Sequence, residues 1–230
     1  MKKFSIVLSV VFLLFGLASG ANAYSINYGF IADGNEFTSP YYVTIENFNT
    51  GSPLWTWTGS SAIVLDSVGG KYSAPGGVDG STKDLTKYVT VPAPDTGGNG
   101  SVLVTDLPPG PGSGGTYNYF GLWWGSIDSY NTFTFYLGGI STGESFTGID
   151  VTTPGSANGN QTAPASNHYV NFLDLSPYNS FSMSSTQFAF EADNIAIGYD
   201  PSPVPEPATM LLLGSGLIGL AGFARRRFKR

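Results

Sequence analysis

The sequence predicts an all-β fold, a two-sheet, jelly-roll-like β-sandwich, flanked by an N-terminal signal peptide and a single C-terminal transmembrane helix. Three observations carry that reading. Short runs of alternating apolar and polar residues recur between clusters of Gly, Pro and Asn, the pattern of strands and turns. Between the two ends no stretch keeps a 3.6-residue period, and the best helical candidate, Thr82 to Lys87, is barely one turn. The two ends are apolar segments beside positive charge, unlike the rest of the 230 residues.

The N-terminal element comes first. Lys2 and Lys3 precede an almost wholly apolar run from Phe4 to Leu17. Ala21-Asn22-Ala23 closes it in the small-x-small pattern that signal peptidase cuts. Residues 1–23 are therefore read as a signal peptide, with Ala21 and Ala23 at the cleavage site and Tyr24 as the first mature residue.

Residues 24–200 are long enough to bury one sizeable core. Strands are expected at Tyr41–Phe48, Leu54–Thr58, Ala62–Asp66, Lys87–Val91, Val102–Asp106, Tyr119–Trp124, Tyr130–Leu137, Tyr169–Leu173, Gln187–Glu191 and Ile195–Tyr199. The clearest is Tyr130–Leu137, where Phe133, Phe135 and Leu137 share one face and Thr132, Thr134 and Tyr136 the other. About ten strands in one domain fit two packed sheets. Residues 92–100, 108–116 and 151–167 read as loops, the last long enough to suggest a role.

The third element is residues 201–230. Asp200-Pro201-Ser202-Pro203 is a proline-stiffened linker. Val204-Pro205-Glu206-Pro207 follows, then Ala208 to Ala224 without a charge, then a basic end. As a helix, 208–224 would span about 25 Å, the short end of what crosses a bilayer. Arg225, Arg226, Arg227, Lys229 and Arg230 would stay on the cytoplasmic side and stop translocation. By these physical criteria alone the tail is a single-pass anchor.

The order and spacing of those parts resemble the PEP-CTERM sorting domain. The resemblance implies recognition by an exosortase, a membrane-embedded cysteine protease of Gram-negative bacteria. It implies a cut near Pro205-Glu206-Pro207, release to the cell surface or matrix, and an association with exopolysaccharide and biofilm. Pro205, Glu206 and Pro207 would be substrate, held extended by the two prolines. Two further stretches, Tyr119–Asn131 and Phe188–Gly198, resemble a group of such surface proteins with an FGLxWGSxDxYN segment. That likeness speaks for location and a β-sandwich and adds little chemistry.

Charge narrows the function classes. Between the two terminal segments only Lys71, Lys83 and Lys87 are basic, against fifteen carboxylates from Asp33 to Asp200, a net of about −12. Nucleic acid is excluded as a partner, because phosphate binding needs Lys and Arg. There is no cysteine, so thiol catalysis, cysteine-ligated zinc and iron–sulfur clusters are excluded too.

Candidate ligand contacts are Trp55 and Trp57, two apart and so on one strand face. Exposed, they would stack on sugar rings; buried, they would be ordinary core. Trp123 and Trp124 must point to opposite faces, so at most one is exposed. Asp128 and Asn131 either hold a local turn or face a ligand at the sheet rim. Glu191-Ala192-Asp193-Asn194 reads as an acidic turn before a last strand. With Asp33 and Glu36, Glu191 and Asp193 form a candidate set for a structural calcium, which needs six to eight oxygens. His168 is the only histidine. No Gly-x-Ser-x-Gly occurs, and a single histidine cannot build a histidine-zinc cluster. The expected function is an exported surface or matrix protein without catalytic activity and with no required cofactor. A carbohydrate-binding module is the alternative, and a secreted hydrolase the second.

Overall fold

A strand sends successive side chains to opposite faces, so a run such as Thr132-Phe133-Thr134-Phe135 calls for a second layer on one side. The computed structural model supplies it. It describes residues 24–28, 31–33, 36–38, 42–77, 79, 82–199 and 214–216. Tyr24–Asp200 forms one compact unit. Of the terminal segments only residues 214–216 are described, and they are helical. The signal peptide at 1–23, the motif at 204–207, the rest of the 208–224 helix and the basic end at 225–230 lie outside the described residues. Among the described residues no helix is long and apolar enough to cross a membrane.

Fourteen strands are described, in two antiparallel sheets and a small hairpin. Sheet I contains β1 (Ser25–Asn27), β4 (Tyr42–Glu46), β6 (Ala62–Val64), β7 (Tyr88–Val91), β9 (Tyr119–Gly125), β12 (His168–Leu173) and β14 (Phe190–Gly198). Their order is β1-β12-β9-β14-β7-β6, with β4 also on β14. Sheet II runs β11-β10-β13-β8-β5, with β5 (Thr56–Gly59), β8 (Gly100–Thr105), β10 (Asn131–Leu137), β11 (Ile140–Thr147) and β13 (Ser180–Ser185). The hairpin pairs β2 (Ile31–Asp33) with β3 (Glu36–Thr38). From β7 onward nearly every connection crosses from one sheet to the other, the winding expected of a jelly-roll-like sandwich.

The two inner faces meet in an aromatic core. Phe120, Leu122 and Trp124 from β9 and Val170 and Phe172 from β12 face Phe133, Phe135, Phe181 and Met183 of sheet II. Phe120 sits at the centre, its ring 4.8 Å from that of Phe181 and 5.2 Å from that of Phe135. Trp124 stacks on Phe190 at 4.5 Å. Each buried aromatic contributes about 2–3 kcal/mol by transfer from water, and the edge-to-face pairs add to it.

Strand β14 is where the sequence expectation needs correction. Glu191 to Asn194 is no turn: residues 190–198 are one strand, all nine buried. The strand carries a bulge. Asp193 pairs with Trp123 but Ala196 with Gly121, so β14 holds one extra residue there, and Asn194 has φ +47°. The extra residue switches parity. Phe190 and Ala192 face the core before it, Ile195 and Ile197 after it. Without the bulge the two isoleucines would turn to the opposite face.

Sheet I is covered on that opposite face as well. Residues 65–77 and 82–87 lie over it, and Trp123 donates from Nε1 to the Gly76 carbonyl at 2.9 Å. Both Trp123 and Trp124 are therefore buried. Thr82–Lys87 is not helical, and among the described residues of the unit the one short helix is the 3-10 turn Pro164–Ser166. Strands β11 and β13 lie outside the expected set, because serine and threonine dominate them and only Phe146, Phe181 and Met183 mark their inner faces.

Phe120→Ala should destabilise the protein by about 3–5 kcal/mol. Leu103→Ala, on the outer face of sheet II, should stay within about 0.5 kcal/mol. Urea midpoints of the purified variants check both.

Candidate functional site

The residues singled out by sequence do not gather in one place. The exposed indole platform expected at Trp55 and Trp57 does not form. Trp55 is 5% exposed and Trp57 half-buried, both edge-on to Phe181 at 6.1 and 6.3 Å. Trp57 also meets Phe48 at 5.5 Å. The face they share is the inner face of sheet II, where the aromatic core covers them.

The four-carboxylate calcium set is not assembled among the described residues. Asp33 and Glu36 are register partners at the tip of the β2–β3 hairpin, and their side chains lie outside what the structure describes. Glu191 and Asp193 leave β14 on the same face but go separate ways. Asp193 accepts from its neighbour Asn194 N–H at 2.7 Å and from the Thr86 hydroxyl at 3.2 Å, beside Asp84. Glu191 accepts from the Ser73 N–H at 2.8 Å. Among the described residues no three of His, Cys, Asp and Glu stand close enough to hold a metal together. Ala21, Ala23, Pro205, Glu206, Pro207, Arg225, Arg226, Arg227, Lys229 and Arg230 lie outside the described residues. Tyr24, the first residue after the expected signal cut, packs edge-on against Phe146 at 4.7 Å.

A polar cleft of about 220 Å³ opens beside Glu191. Its walls are residues 70–72, the β9–β10 turn with Ser126, Asp128 and Tyr130, the 158–161 part of the long loop, and Phe188-Ala189. Asn167 holds these walls together. Its Oδ1 accepts from Gly76 N–H and Ser126 N–H, each at 2.9 Å. Its Nδ2 donates to the carbonyls of Asn160 at 2.8 Å and Ala163 at 3.0 Å. All four hydrogen-bonding positions of this buried amide, two on the oxygen and two on the nitrogen, are used. The long loop expected at 151–167 is thus fastened to the sandwich, and Asn160 caps it by accepting from the Thr162 and Ala163 amides.

Asp128 projects into this cleft. A Cβ at Gly159 would stand 2.7–2.8 Å from both its carboxylate oxygens, so only glycine fits there. Tyr130 lies beside Asp128 and donates to the Phe188 carbonyl at 2.9 Å. Asn131 does not hold the turn through its side chain: it donates to the Ala189 carbonyl at 3.1 Å and accepts from the Ser185 hydroxyl at 2.7 Å. Asp128 thus borders the cleft, while the Asn131 side chain is bonded to Ala189 and Ser185 instead.

Two polar atoms in the cleft are buried without a partner: the second carboxylate oxygen of Glu191 and the hydroxyl of Ser126. Burial pushes the Glu191 carboxyl well above the usual range and nearby Asp128 pushes it further, while the Ser73 amide and Lys83 act the other way. Burial likewise raises Asp128, while the neighbouring Tyr130 hydroxyl acts the other way. Lys83 gives its three donors to Ser73 Oγ, the Ala74 carbonyl and the Gln161 carbonyl, at 3.1, 3.1 and 2.7 Å. None is left for Glu191.

The outer face of sheet II forms a second, broader groove of about 860 Å³. Register aligns hydroxyl-bearing residues on the outer face of sheet II, Ser145 with Thr134, Thr134 with Ser182, and Thr132 with Ser184, and Thr134, Ser182 and Ser184 line the groove. Tyr136 lies within 3.2 Å of the Ser182 hydroxyl, and Asp106 is the one charged residue lining the groove. His168 sits at the start of β12, its ring nitrogens 3.2 and 3.1 Å from the Pro164 and Val151 carbonyls.

Residues 203–227 match the family model described as the PEP-CTERM protein-sorting motif. The chain carries that motif, which supports an exported protein sorted by exosortase. No curated protein and no solved structure matches the chain.

Asn167→Ala leaves the Gly76 and Ser126 amides without a partner and should cost roughly 2–4 kcal/mol. It should also speed hydrogen exchange in residues 158–166 more than in β10, as mass spectrometry of the exchanged protein would read.

Proposed function

We propose that this chain is an exported, non-catalytic surface or matrix protein, displayed through its sorting tail among extracellular polysaccharide. The sorting motif at 203–227 carries the reading. Its expected course is export by the signal peptide, brief anchoring in the membrane by 208–224, and a cut near Pro205-Glu206-Pro207. The sandwich would then stand outside the cell.

The character of the sandwich supports a display role. The surface is acidic and poor in cations, which keeps it soluble and away from anionic lipid and nucleic acid. The single histidine has both ring nitrogens against backbone carbonyls, an arrangement suited to holding a loop. The groove on sheet II is lined by hydroxyls and nearly free of charge, which suits a neutral, hydroxyl-rich chain. That groove, rather than Trp55 and Trp57, is where a carbohydrate-binding reading of this domain would be placed.

Replacing Pro205, Glu206 and Pro207 together by alanine tests the proposal in a host that makes exosortase. The altered protein should stay in the membrane fraction, while the parent appears in the surface and medium fractions. Equal release of both forms would overturn the reading.

A further inference from the structure

We propose that the cleft bounded by Glu191, Asp128 and Ser126 is a calcium site. The Glu191 side chain reaches the cleft with one oxygen paired to Ser73 and the other without a partner, in a residue only 2% exposed. The Ser126 hydroxyl, 4% exposed, is also without a partner and lines the same cleft. An unpartnered buried oxygen costs free energy unless something fills its coordination, and here two of them belong to residues that line one cleft.

The chemistry of the lining selects the occupant. Asp128 and Glu191 bring two carboxyl groups and Asn158 and Gln161 bring amide groups, with Lys71 the one basic residue in the lining. There is no sulfur and no imidazole in the wall, so the donors are hard oxygens, which suit calcium rather than zinc or copper. A cleft of about 220 Å³ leaves room for the waters that complete a coordination of six to eight. Lys83 does not fill the position, since its ammonium is committed to three other oxygens. A sugar flanked by the two carboxyls, as in a glycosidase, would need Glu191 to be reachable; at 2% exposed it admits an ion and not a ring.

The site shares only Glu191 with the set suggested by sequence. Asp193, two residues on, is directed to Thr86 and Asp84. The residues of the new site come from four separate stretches of chain, so an ion there would cross-brace the loops that cover sheet I. A protein exposed outside the cell would meet calcium at concentrations matched by affinities on the order of 0.1–1 mM, typical of extracellular modules.

The test uses the full chain in detergent micelles at pH 7.5, stripped with EDTA and titrated with calcium chloride. Saturating calcium should raise the melting temperature by roughly 5 °C or more. Terbium should show emission sensitised through Tyr72 or Tyr130, displaced by calcium. Glu191→Gln should abolish both signals, and Asp128→Asn should weaken affinity at least tenfold. Asp193→Asn should leave affinity within about twofold, as its side chain lies elsewhere. If Glu191→Gln fails to fold, Asp128→Asn and the terbium titration of the parent decide the matter alone. No calcium-dependent shift and no sensitised emission in the parent would overturn the proposal. So would a calcium response that survives both Glu191→Gln and Asp128→Asn.

Discussion

Everything in the sandwich is arranged around the complete burial of β14. A strand buried on both faces and both edges must have every backbone group paired within the protein. On one edge β9 provides the partners; on the other β7 serves residues 190–192 and β4 serves 195–198. The change of partner falls at the bulge. That single extra residue keeps Phe190, Ala192, Ile195 and Ile197 on the core side. It also leaves Glu191 and Asp193 on the covered side, where carboxylates are expensive unless bonded. Residues 65–77 and 82–87 answer most of that demand through Ser73 and Thr86. One oxygen of Glu191 is what they leave over.

The same strand joins the fold to the tail. β14 ends at Gly198, and the proline linker begins at Pro201. A cut near 205–207 would fall after β14 in the chain. With no cysteine to cross-link the chain, stability outside the cell has to come from packing. The rings gathered about Phe120 and the stacked pair Trp124–Phe190 supply it. The acidic, cysteine-free domain buries this aromatic interior within its own two sheets.

Much of this was legible in the residues, because alternation is a local signal. The Phe133 and Phe135 side of β10 and the long β9 segment stand where the pattern puts them. Other features depend on facts that are not local. A polar run such as Glu191-Ala192-Asp193-Asn194 reads as a turn unless one knows that a covering segment pairs its carboxylates. Trp55 and Trp57 do share a face, but which side of the sheet is covered depends on the partner layer. Strand β13 carries serines where its outer face, at Ser180, Ser182 and Ser184, lines the groove. The cleft unites residues 70–72, 126–130, 158–161 and 188–191, so no spacing within any one of them announces it. Only Gly159 beside Asp128 leaves a trace, and it becomes readable once the two loops are seen together.

The most direct measurement is the intact mass of the protein recovered from the surface of cells that make exosortase. The account predicts a chain that starts at Tyr24 and ends close to Pro205-Glu206-Pro207, allowing for added glycan removed before weighing. A surface-recovered chain that still extends to Arg230 would contradict it, and would make the tail an anchor.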